Sequence, residues 1–301
     1  MNKQKLRLKN ITAIFTLLVA TGAFAQSSAP ENFSSPEEAA RALFTVVRDD
    51  NEPAMMQVLG AGKELISLED KGQDKQEREE FINKYQEMHR LVREPDRTTV
   101  LYIGAENWPF PVPLVSSNGA WHFDSERGAN EVLFRRIGEN EEAAIDACHL
   151  LVLAQQRYAA TLHSDDPASH YALRFVSSQG TQDGLYADQS SPIPDFLANA
   201  GVSNEGAADD QRSPYAGYYF RILTQQGKAA PGGSQNYISN GKLTGGFAFV
   251  AYPAKYGRSG VMTFMIGQDA IVYQKDLGPD TANIVQAMSS YNPGSGWLRV
   301  E

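Results

Sequence analysis

The sequence predicts an α+β protein made of two helix-plus-antiparallel-sheet units in succession. Three observations predict it. Apolar residues recur at helical spacing in 36–59 and again in 140–162. Each stretch is followed by β-branched and aromatic runs with turn residues between them. The segment joining the halves, Ser125–Arg136, is charged and carries Gly128, which suits a connector. Helices followed by strands, rather than alternating with them, argue for antiparallel sheets.

The chain opens with a targeting pattern. Lys3, Lys5, Arg7 and Lys9 precede an apolar run, Ile11–Ala20. That run is shorter than the roughly 20 apolar residues a bilayer span needs. Ala23-Phe24-Ala25 then supplies the small-x-small site of a signal peptidase. Residues 1–25 are therefore expected to be a cleaved signal peptide, leaving a periplasmic or secreted protein that starts at Gln26. The residue directly after the cut is Gln26 rather than a cysteine, which argues against a lipid anchor. No later run is apolar for 18 residues, so no membrane span is expected after cleavage.

The first unit is expected over 33–125. Ser34 or Ser35 caps a helix with Pro36 in its first turn and Glu37 and Glu38 at its positive end. Ala39, Ala42, Leu43, Val46 and Val47 give that helix one buried face. Pro53–Leu59 reads as a second short helix stopped by Gly60. A third helix is expected around Glu77–Leu91, with Phe81, Tyr85, Met88 and Leu91 on one side and Arg90 and Arg93 on its solvated face. Thr98–Ile103 reads as a strand. Phe110–Val115 is extended by its prolines, which suggest an edge strand. Asn118-Gly119 turns the chain into a hairpin with Ala120–Asp124.

The second unit is expected over 138–301. From Asn140 to Leu162 an apolar stripe runs Ala144, Cys148, Leu151, Tyr158, Leu162, widened by Ile145, Val152 and Ala159. Residues 163–214 are loop-rich. Tyr218–Leu223, Gly246–Tyr252, Val261–Ile266 and Ile271–Gln274 read as an antiparallel meander. Asp276–Tyr291 is a linker or short helix, and Trp297–Val300 a final strand.

Charge narrows the partners. The net charge is −9 over 301 residues, and loss of the basic leader makes the mature chain more acidic still. Such a surface repels nucleic acid and anionic lipid. The single cysteine, Cys148, permits no internal disulfide. Its place in the helical stripe makes it a core residue, and the adjacent His149 points about 100° away on a helix. His163 and His170 with Asp165 and Asp166 form the only His/Asp cluster, but their spacing matches no ligand geometry. Asp183-Gly184-Leu185-Tyr186 and Asp269 are acidic turn residues of the kind that suit calcium; turn residues are the plainer reading.

Pro231-Gly232-Gly233 and Thr244-Gly245-Gly246 lack the Lys-Ser/Thr of a phosphate cradle. Ser259 sits in a hairpin turn, outside the strand–turn–helix context of a nucleophile elbow. The rings of Trp108-Pro109-Phe110 and Tyr215–Phe220 are core staples by default, with a groove for a polymer or peptide as the alternative. No catalytic, cofactor-binding or metal-binding set is assigned, and no cofactor is expected.

Ser35-Pro-Glu-Glu-Ala-Ala and Asn118-Gly-Ala-Trp-His-Phe-Asp124 bracket a first unit that resembles the nuclear-transport-factor-2-like cone folds. The second unit is similar to the globular part of type IV pilins and type II secretion pseudopilins. The similarity rests on Asn140-Glu-Glu-Ala-Ala-Ile, Leu153-Ala-Gln-Gln-Arg-Tyr158, Gly217-Tyr-Tyr-Phe220, Ala251-Tyr-Pro-Ala254, Gly260-Val-Met-Thr-Phe264 and Asp269 to Val272. It implies one long helix laid across a meander. The apolar half-helix that anchors a pilin and builds its fibre is replaced by a soluble domain, so polymerisation is not expected. The mature chain as a whole resembles an uncharacterised exported proteobacterial family, a domain of unknown function, through Glu106-Asn-Trp-Pro-Phe-Pro-Val-Pro-Leu-Val115, Arg135-Arg-Ile-Gly138 and Gly260–Phe264. The expected role is non-enzymatic partner binding or assembly, with another envelope protein as the partner. The alternative is a small-ligand binder or enzyme using a pocket in the first unit.

Overall fold

The computed structural model describes residues 30–62, 66, 71–161, 169–202 and 212–300. The leader, His163, Asp165, Asp166 and Leu162 lie outside the described residues. The architecture is α+β, and the chain divides into two compact units, Met1–Ala129 and Asn130–Glu301.

The first unit begins with α1 (Pro36–Arg48) and α2 (Glu52–Leu59). Of the two candidate caps, Ser35 holds the N-cap position, and its side chain accepts from Glu38 N. The Glu38 carboxylate in turn accepts from the backbone and hydroxyl of Ser34, so the first turn is tied from both sides. Asn51 caps α2, and Gly60, at φ 64°, ends it in the left-handed conformation.

Helix α3 spans Lys71–Glu87 and strand β1 His89–Arg93, which corrects the expectation of one helix over Glu77–Leu91. Gly104 N donates to both Lys84 O at 3.0 Å and Met88 O at 2.9 Å, so the carbonyls at the helix end are met by the residue that follows the next strand. That strand is β2 (Thr99–Ile103), followed by β3 (Trp108–Pro109), β4 (Leu114–Ser117) and β5 (Ala120–Phe123). The sheet runs β1-β2-β4-β5, with β3 added on β2, and its paired strands are antiparallel. The segment expected at an edge, β4, lies between β2 and β5. Pro111 and Pro113 fall before it, so they remove no ladder donor. At the β4–β5 turn both Asn118 (φ 53°) and Gly119 (φ 81°) are left-handed, as a two-residue hairpin of type I′ requires. Leu43, Tyr85, Leu101, Ile103, Leu114 and Phe123 form the core between helices and sheet.

Helix α4 runs unbroken from Ser125 to Ala160. The segment Ser125–Arg136, expected as a connector, is its first turns. Gly128 is needed there because Val112 packs against it too closely to admit a Cβ. The buried face of α4 is Ala144, Ala147, Cys148, Leu151, Val152, Ala154 and Tyr158, close to the expected stripe.

The loop-rich stretch carries β6 (Arg174–Val176), β7 (Gly184–Tyr186), α5 (Asp195–Asn199) and β8 (Gly201–Val202). Then come β9 (Tyr218–Leu223), four two-residue strands β10 (Gln225–Gln226), β11 (Gln235–Asn236), β12 (Ile238–Ser239) and β13 (Lys242–Leu243), and the long strands β14 (Ala248–Pro253), β15 (Met262–Gly267) and β16 (Val272–Asp276). The C-terminus adds α6 (Thr281–Ala287), β17 (Ser290–Tyr291) and β18 (Leu298–Arg299). The main sheet is β18-β16-β15-β14-β9-β8. Its four long strands are antiparallel, and β8 joins β9 in parallel.

Residues opposite one another across a ladder share a face. Tyr218, Phe220, Phe249 and Phe264 therefore share one face, and they form a common core with the buried side of α4. Arg221, Val250 and Met265 share the other. On that face Arg221 donates to the carbonyls of Val285 and Gln286 at the end of α6, and Tyr291 packs over Gly267.

Candidate functional site

Cys148 is fully buried against the meander, and burial pushes its thiol up to about 12. A thiol at that value is uncharged at neutral pH and is no nucleophile. His149 is exposed, about 100° around α4 from Cys148. A thiol reagent should label Cys148 only as fast as the second unit opens, and Cys148→Ala should cost about 1–2 kcal/mol through lost burial. Rapid labelling of the native protein would contradict this placement.

Ser259 closes the turn between β14 and β15: its hydroxyl accepts from Lys255 N and donates to Lys255 O. The same turn is fastened to α4 by side chains that sequence reasoning passed over. Asn140 donates to Ser259 O, and one oxygen of Glu141 accepts from both Val261 N and Met262 N at 2.9 Å. Tyr218, buried beneath, donates to Met262 O at 2.8 Å, and burial raises its phenol. Gly260 leaves no room for a Cβ beside that phenol.

Asp183 is a turn organiser. It accepts from Ser178 N, Ser178 Oγ and Thr181 Oγ1. Burial opposes its charge, yet these donors hold its carboxyl below the usual range. Asp269 accepts from Ile271 N in the β15–β16 turn. His170 packs edge-on against Tyr158, with ring centroids 5.9 Å apart. Among the described residues no group of three His, Cys, Asp or Glu side chains is placed to hold a metal ion. The Gly232–Gly233 turn offers its carbonyls, not its amides: Gln226 donates to Pro231 O and Gly233 O.

The aromatic runs divide. Tyr218 and Phe220 are core, with no exposed surface. Tyr215 stacks on the exposed Phe196 at 5.1 Å. In the first unit Tyr85 stands between Phe44 at 4.5 Å and His89 at 4.0 Å, and Phe110 sits edge-on to Phe81, Trp108 and Phe123. Trp108 reaches the surface with the Lys84 ammonium 6.0 Å above its ring. Lys84 is itself paired with Glu106 at 2.6 Å and Glu80 at 3.0 Å. A cavity of about 370 Å³ opens in the second unit, lined by Tyr186, Gln189, Ser191, Pro192, Ile193, Pro194 and Asp195.

One pair of charges stands on a different element from the one expected. Arg90 and Arg93, expected on a helix, stand on β1. The Arg90 guanidinium lies 5.0 Å over the Tyr102 ring and donates through Nε to Asn107. A Leu-Val pair between two arginines reads equally as helix or strand, so no local signal marked it.

Among the described residues no helix is long and apolar enough to cross a membrane. No curated protein and no solved structure matches the chain. The family described as "Protein of unknown function (DUF2950)" matches residues 30–300, nearly the whole sequence, and the chain belongs to that family.

Proposed function

We propose that the protein is exported and acts in the cell envelope as a non-enzymatic binding or assembly factor, with another envelope protein as its partner. The observation that carries this reading is that reactive side chains are spent on internal contacts: Glu141 holds Val261 N and Met262 N, Asp183 ties the turn from Ser178 to Thr181, and Cys148 is fully buried. Hydrogen-bond donors hold the carboxyls of Glu38, Asp96, Glu106 and Asp188 below their ordinary range. Burial lifts the Cys148 thiol and the phenols of Tyr85, Tyr218 and Tyr252 above theirs. General acid–base catalysis near pH 7 works best with groups tuned toward that pH; these are tuned away from it. They serve as fasteners, as the Glu141 and Asp183 contacts illustrate.

A pilin-like reading of the second unit is compatible with this role. The buried side of α4 shares its core with an antiparallel meander, as such a unit requires. The first turns of α4 carry Glu126, Arg127, Glu131, Arg135, Arg136 and Glu139, a composition unsuited to an apolar fibre core. Purified mature protein should therefore form no filaments. A small-ligand pocket in the first unit is the weaker reading, because aromatic rings pack against one another in that interior.

The test is crosslinked affinity capture from the envelope, with N-terminal sequencing of the bait. The expected result is a mature chain beginning at Gln26 and one envelope protein recovered in stoichiometric amount. A full-length chain retained in the inner membrane, or the lack of any stoichiometric partner, would overturn the proposal.

A further inference from the structure

Among the described residues, strand β1 ends the first unit's sheet and has a ladder partner on one side only. Its pairing with β2 shows which backbone groups point outward. Met88 O accepts from Gly104 N, and Glu94 N donates to Thr98 O, so the even-numbered residues bond to β2. By the alternation of an antiparallel ladder, the N–H and C=O of His89, Leu91 and Arg93 point away from the sheet. His89, Arg90 and Arg93 are exposed, and Leu91 and Val92 are half-covered. An open edge of this kind recruits an extended chain unless something deters it.

Charge selects what that chain is. The edge presents Arg90 and Arg93 beside His89, on a protein whose net charge is −9. The neighbouring carboxylates are engaged elsewhere: Glu94 accepts from the Tyr102 hydroxyl at 3.0 Å, and Asp96 pairs with Arg127 at 2.7 Å. Pairing of β1 with a second copy of itself about Leu91 sets His89 opposite Arg93 twice, placing basic groups together, which disfavours a dimer through this edge. A negatively charged strand meets no such conflict.

We propose that β1 is a docking edge for an extended acidic segment of a partner protein, added antiparallel as an extra strand of the first unit's sheet. The proposal rests on the partner-binding reading and names the surface and the chemistry. Main-chain bonds to His89, Leu91 and Arg93 supply affinity, and side-chain alternation supplies choice. His89, Leu91 and Arg93 lie on the helix-bearing face of the sheet, since His89 stacks on Tyr85 of α3 and Leu91 packs against the core. Arg90 and Val92 lie on the other face. The complementary strand therefore carries acid opposite Arg93, apolar residues opposite Val92 and Leu91, and acid opposite Arg90 and His89. Read from its N-terminus it is Glu-Val-Leu-Glu-Glu.

The probe is a labelled peptide containing Glu-Val-Leu-Glu-Glu, titrated into the mature protein, with Lys-Val-Leu-Lys-Lys as the control. The acidic peptide should bind at least tenfold tighter than the basic one and weaken with salt. It should slow amide exchange at His89, Leu91 and Arg93. The double variant R90E/R93E, with an unchanged circular dichroism spectrum, should lose the acidic peptide by at least tenfold. Equal binding of both peptides, binding without protection of those three amides, or no binding at all overturns the proposal. If R90E/R93E still captures the envelope partner at wild-type yield, the edge is wrong and the partner-binding reading stands. If the peptide binds as described and no envelope protein co-purifies, the edge stands and that reading falls.

Discussion

Replacing Phe249 by alanine lowers the stability of the second unit by about 3–5 kcal/mol. Phe249 lies in β14, between β9 and β15, and has no exposed surface. Its ring meets Phe175 and Phe247 with centroids 5.9 Å away from each. A hole here has packed strands on both flanks and the α4 core on its face, so collapse into it is restricted. The midpoint of thermal unfolding should fall by roughly 10 °C, given about 2–4 °C per kcal/mol for a unit of this size. Amide exchange in β9, β14 and β15 should accelerate together. Leu298→Ala is the control: Leu298 is 67% exposed on a terminal strand, and its removal should change stability by no more than about 0.5 kcal/mol. A Phe249→Ala variant as stable as Leu298→Ala would mean that the strand assignment is wrong.

The second large effect is expected at Gln155. This side chain is fully buried on α4 and acts as a substitute strand: Nε2 donates to Ala172 O and Oε1 accepts from Ala172 N, both at 2.8 Å. Leucine fills nearly the same volume but leaves both groups of Ala172 without partners in the interior. An unsatisfied buried group costs about 1–3 kcal/mol, so Gln155→Leu should destabilise by roughly 2–4 kcal/mol. The Ala172 amide should lose its exchange protection well before the rest of the unit. Retained protection at Ala172, with a loss below about 0.5 kcal/mol, would contradict the pairing.

Where a local rule has one strong solution, the sequence alone was sufficient. Ser35-Pro36 starts a helix because the cap and the missing proline N–H both act at that end. Asn118-Gly119 forms its hairpin because each tolerates the left-handed region. Cys148 falls in the core because the period of α4 is unmistakable between Ala144 and Tyr158.

Other elements were illegible for stated reasons. The first turns of α4 are charged on several sides and hold Gly128 and Gly138, so they show neither a stripe nor a stop. They are helical because the turns beyond them are held by the core, and a helix already nucleated extends cheaply. The β1 strand continued the apolar spacing of α3 through Met88 and Leu91 and so imitated a helix. The short strands between 174 and 243 have no alternation long enough to read. Gln155, Glu141 and Arg221 look like surface residues in sequence, and only their distant partners give them a role.

What the sequence by itself determined is composition and period: an acidic α+β chain with two helix-then-strand units and one core cysteine. Only the tertiary structure decided where α3 stops, that α4 continues through the expected connector, and which side of β1 is left open. Each of those outcomes depends on a backbone group whose partner is remote in the chain. Gly104 meets the end of α3, and Thr98 meets Glu94 across the β1–β2 hairpin, while His89, Leu91 and Arg93 face outward. Backbone groups are alike from residue to residue, so a residue's side chain does not tell which distant carbonyl or amide its main chain will find.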